Sequence, residues 1–98
     1  MIDVAMISGV GEYETKREKV DEKDRILYMV GGKVFLVENK NTIEVRCDRE
    51  LAKLLQEKYE SVMESRYFGR GGIEIVMSGQ LEKTELEDLI RLSYNLSK

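Results

Sequence analysis

Between residues 24 and 59 the chain carries three apolar runs separated by turn-forming residues, and a helix start follows directly. Residues 26–30 (ILYMV) end at Gly31-Gly32, residues 34–37 (VFLV) end at residues 39–41 (NKN), and residues 42–47 (TIEVRC) run into Asp48. A Gly-Gly loop supplies the positive φ angles that match strand twist, so the spacing predicts two tight hairpins. The run 34–37 is apolar throughout, which predicts a central strand covered on both faces. The run 42–47 alternates, with Ile43, Val45 and Cys47 on one side and Thr42, Glu44 and Arg46 on the other, so Cys47 is expected to be buried.

Asp48 stands where a helix N-cap belongs, and Leu51, Leu54, Leu55 and Tyr59 follow at helical spacing on one expected face. Lys53 and Glu57 fall four apart on the outer side. Residues 61–70 show no clear period. Beyond them, residues 69–72 (GRGG) read as a flexible hairpin turn before a strand that alternates Ile73, Ile75 and Met77 against Gly72, Glu74 and Val76. The last segment reads as a helix opened by a Thr84/Glu87 capping box, with Leu86, Leu89, Ile90 and Tyr94 on its apolar face.

The N-terminal quarter is less regular. Residues 1–7 (MIDVAMI) are too short to separate strand from helix and lean to strand. Residues 8–11 read as a loop. Residues 12–24 hold six acids and four bases, which predicts a charged edge strand near residues 13–19 followed by a mobile turn.

Composition narrows the chemistry. Charged residues make up 36% of the 98, above the usual quarter, and the net charge is −3 with a pI of about 5.1. Such a balance argues against nucleic-acid binding through the overall field, because phosphate neutralisation is the main sequence-independent term in that binding. A local patch is the remaining route, and Arg66 and Arg70 lie in an acid-free stretch, residues 65–73.

The lone Cys47 forms no intramolecular disulfide, and the chain opens without a charged-then-apolar leader, so the cytoplasm is expected. No apolar run reaches the roughly 20 residues that span a bilayer, and no membrane association is expected. Histidine is absent, and no carboxylate, tyrosine or lysine pair is set apart by its spacing. Catalysis, cofactor binding and a metal site are therefore not expected. Gly9-Val10-Gly11 opens like a dinucleotide fingerprint, but Glu14 stands where the third glycine belongs. Glu82, Glu85, Glu87 and Asp88 cluster at a helix start, where the dipole favours acids.

Three blocks carry a resemblance. Gly31-Gly32-Lys33-Val34-Phe35 matches a glycine-rich hairpin, and Arg46-Cys47-Asp48-Arg49-Glu50-Leu51-Ala52 matches a strand-to-helix junction. Gly79-Gln80-Leu81, Glu85-Leu86, Leu89-Ile90 and Ser93-Tyr94-Asn95-Leu96 match a C-terminal helix. Together they resemble the MmcQ/YjbR family in order over about 70 residues. The resemblance implies an α+β fold with an antiparallel β-sheet and helices packed on one face, CyaY-like, in a single domain over residues 1–98 with a shortened N-terminus. It departs from the family near Gly71-Gly72-Ile73, where members tend to carry a tryptophan. It also implies DNA binding through phosphate contacts from the hairpin loops, by Lys33, Lys40, Arg66 and Arg70. The alternative is a protein-protein interaction or regulatory domain without nucleic-acid binding.

Overall fold

The alternating runs become neighbouring strands of one antiparallel sheet. In the computed structural model, which describes residues 3–98, the elements in chain order are β1 (Glu14–Val20), β2 (Lys23–Val30), β3 (Lys33–Glu38), β4 (Thr42–Arg46), α1 (Arg49–Lys58), β5 (Val62–Ser65), β6 (Gly69–Val76) and α2 (Lys83–Ser97). The strand order is β1-β2-β3-β4-β6-β5, so β5 and β6 form a hairpin whose second strand pairs with β4.

The Gly31-Gly32 turn forms as expected, with φ of +58° and +80°. Tight too is the turn between β1 and β2, where Asp21 and Glu22 take φ of +50° and +66°. The turn expected after the edge strand is thus a two-residue reversal. Residues 4–6 form one 3-10 turn (Val4–Met6) instead of the expected strand, with Val4 buried; residues 1 and 2 lie outside the described residues.

Both helices cover the same face. Leu36, Val45 and Ile73 form one row across β3, β4 and β6, with Ile43 beside Ile75 in the next, and all five are fully buried. Ala52 of α1 and Leu86, Ile90 and Tyr94 of α2 close over them. Ser93 ties α2 to the sheet: its hydroxyl donates to the Phe35 carbonyl and accepts from the Arg46 amide. The Asp48 carboxylate caps α1, accepting from the amides of Glu50 and Leu51.

Two helix expectations change. Leu54 is 61% exposed, because the buried side of α1 is set by Leu51, Ala52, Leu55 and Tyr59, and Leu54 falls outside that arc, beyond Leu51. The cap of α2 is Glu82, paired reciprocally with Glu85, two residues before the expected Thr84 and Glu87, while Leu86 packs on the sheet as expected.

Among the described residues, no helix covers the other face of the sheet. A smaller apolar cluster, Leu27, Val34 and Val37, lies there with Met29 and Phe68 against it. The glycine-rich stretch is not the β5–β6 turn. That turn is residues 66–68, and residues 69–72 already belong to β6. Gly72 is required by close approach: a Cβ there would stand 2.6 Å from both the Phe68 Cβ and the Val45 carbonyl oxygen.

Candidate nucleic-acid interface

The four cations singled out in the sequence are distributed by the sheet. Lys33 opens β3 and Lys40 follows its end, so the two stand at opposite ends of a strand spanning roughly 17 Å. They do not share a surface. Arg70 stands at the Lys33 end, because Arg46 Nε donates to the Val34 carbonyl and the Cys47 amide donates to the Gly71 carbonyl, which aligns β3, β4 and β6 there. Two interstrand spacings, about 10 Å, separate β3 from β6.

Arg70 lines an open depression of about 490 Å³ with Arg49 and Lys53 of α1, edged by Glu57 and Glu64. Among the described residues, none of Arg49, Lys53 and Arg70 has a carboxylate at ion-pair distance. Arg49 and Lys53 were not among the expected contacts, although their i, i+4 spacing just after the Asp48 cap is visible in the sequence. Their meeting with Arg70 is not, because it depends on β6 returning beside β4.

Arg66 has a different role. Its Nε and Nη2 donate to the two oxygens of Glu74 at 3.0 and 2.8 Å, while its side chain stays 72% exposed. Glu74 is 3% exposed and stands directly opposite Glu44, which is 1% exposed. Burial alone would raise the Glu44 carboxyl, but donation by Asn39, by the Tyr67 amide and by Ser65, with Arg66 nearby, outweighs it and holds the group below the usual value. The same ion pair pushes the Arg66 guanidinium further toward its charged form.

Other reactive groups are muted. The Cys47 thiol is 4% exposed, and burial, with Asp48 beside it, pushes it up to about 11, so it is a thiol at neutral pH. Tyr28 is raised by burial and donates to Glu38 at 2.7 Å. Among the described residues no three His, Cys, Asp or Glu side chains gather as a metal site, and no helix is long and apolar enough to cross a membrane.

Fold and surface together define a small α+β domain with two helices on one sheet face, the β5–β6 turn folded over the other, and, at one end of the sheet, cations that have no ion-pair partner among the described residues. The YjbR family profile matches residues 12–96, and the chain belongs to that family. No curated protein matches it. A crystal structure of a protein from Pseudomonas syringae is similar over 100% of both chains, with a TM-score of 0.73 at 19% identity, a likeness that speaks for the fold.

Proposed function

We propose that this YjbR domain is a non-enzymatic, cytoplasmic binding module that contacts the phosphate backbone of DNA with Lys33, Arg49, Lys53 and Arg70. The observation that carries the reading is the shared depression of Arg49, Lys53 and Arg70, three cations from two elements that have no ion-pair partner among the described residues. An arginine or lysine already neutralised by a carboxylate has little left to offer a phosphate, which is why Arg66 leaves the set, Arg70 stays in it and Arg49 and Lys53 join it. Lys40 leaves it because of its position at the far end of β3.

A chain of net charge −3 repels polyanions at long range, so binding of this kind is weak and short-ranged. It releases counterions in proportion to the phosphates neutralised. Three or four contacts give a slope of log K against log salt of about −3. Fluorescence anisotropy with labelled DNA at low and rising salt tests this, with Arg49→Ala and Arg70→Ala weakening binding and Lys40→Ala leaving it unchanged. Absence of binding at low salt, or binding indifferent to salt and to those two arginines, rejects the reading.

A further inference from the structure

Two carboxylates are buried side by side on β4 and β6, and what they hold is an exposed loop. Glu44 Oε1 accepts from the Ser65 hydroxyl at 2.8 Å and from the Tyr67 amide at 2.9 Å, and its Oε2 accepts from Asn39 at 3.0 Å. Glu74 grips the Arg66 guanidinium as a fork and accepts from the Thr42 hydroxyl at 2.7 Å. Ser65 also accepts from the Phe68 amide. The rings are fixed as well: Arg25 lies 5.2 Å from the Tyr67 centroid, Tyr67 meets Phe68 edge-on at 4.9 Å, and Phe68 lies between Arg46 and Gly72.

Closing a three-residue turn does not need buried charge. Withdrawing carboxylates from water is costly, and a pair of them gains little net stability over apolar residues of the same volume. Yet the two groups so held, Arg66 at 72% and Tyr67 at 38% exposure, face solvent on the sheet side without helices. Both are planar. Holding planar groups rigid before a ligand arrives removes the ordering cost of binding.

We propose that Arg66 and Tyr67 form a preorganised stacking platform for unpaired bases, so that the nucleic acid bound by this domain is single-stranded. Aromatic rings and guanidinium planes are the surfaces on which splayed bases stack, irrespective of sequence. Arg70, three residues further on, supplies the phosphate contact described above. This inference rests on the phosphate reading and fails separately from it.

Anisotropy with labelled oligo(dT) and with a short duplex separates the two. Oligo(dT) is expected to bind more tightly than the duplex. Tyr67→Ala should weaken oligo(dT) about 5- to 150-fold while changing duplex affinity less than about twofold, the range of one lost stacking contact. Arg66→Lys, which keeps the charge and loses the plane, should also weaken oligo(dT). Duplex bound as tightly as oligo(dT), or Tyr67→Ala without effect, overturns the platform and leaves the phosphate reading standing; binding of neither ligand rejects that reading itself. Should the variants fail to fold, the Tyr67 ring resonances of the unaltered protein decide: an upfield shift on adding oligo(dT) is expected, and unmoved resonances overturn the proposal and leave this face to a protein partner.

Discussion

Glu44 and Glu74 face each other in register across β4 and β6, and among the described residues Arg66 is the cation that pairs with either of them. Removing Glu44 therefore strands donors beneath the loop. Glu44→Ala is expected to destabilise the fold by about 3–5 kcal/mol, because Ser65, Asn39 and the Tyr67 amide lose a charged acceptor and Glu74 remains buried. That is a large share of the roughly 5–15 kcal/mol that holds a domain of this size. Urea unfolding measures it, and a loss under about 1 kcal/mol contradicts the network.

The same carboxylate sets an acid limb of the stability curve. Its value in the folded state lies below the ordinary 4.5, so its contribution is present above that pH and disappears as pH falls through the folded value. Melting temperature should drop in that window for the unaltered protein and fall less steeply for Glu44→Gln, which has no proton to gain. Parallel acid limbs for the two proteins would be inconsistent with the hydrogen bonds described.

Gly72 and Gly71 are adjacent, and substitution should separate them. A Cβ at Gly72 meets the Phe68 Cβ and the Val45 carbonyl at 2.6 Å, and neither can withdraw, since one lies in the pinned loop and the other in the central sheet. Gly72→Ala should cost about 1–3 kcal/mol. At Gly71 the nearest atom is 3.7 Å away, ordinary contact, so Gly71→Ala should stay within about 0.5 kcal/mol. Paired thermal melts decide it; equal effects would contradict the placement of Phe68.

Cys47 should behave as an inert core residue. With its thiol buried and raised to about 11, reaction with a disulfide reagent at pH 8 should be far slower in the folded protein than in urea, where the chain exposes an ordinary cysteine. Similar rates in both states would mean that the β4–α1 junction opens readily.

Much of this fold was legible because its strongest signals are local. The Gly31-Gly32 reversal, the apolar run 34–37, the alternation of residues 42–46 and the Asp48 cap each lie within a few residues, and each appears where expected. Glycine misled the reading at residues 69–72, where the chain uses Gly72 for close packing under Phe68 and turns one step earlier. Leu54 misled by spacing alone, because Ala52, small and easily overlooked, is the most deeply buried residue of α1. The interface was the least legible part. Glu44 and Glu74 are 30 positions apart and meet only because β6 returns beside β4 after α1 and β5. That meeting takes Arg66 out of the free cations and brings Arg70 to Arg49 and Lys53.

The most direct test of where nucleic acid meets this domain is a titration of the isotope-labelled protein with oligo(dT), following backbone amide shifts. Shifts are expected at Lys33, at Arg49 and Lys53, and across Arg66, Tyr67 and Arg70, with Lys40 and its neighbours unmoved. Shifts centred on Lys40, or none at all at low salt, would contradict the account.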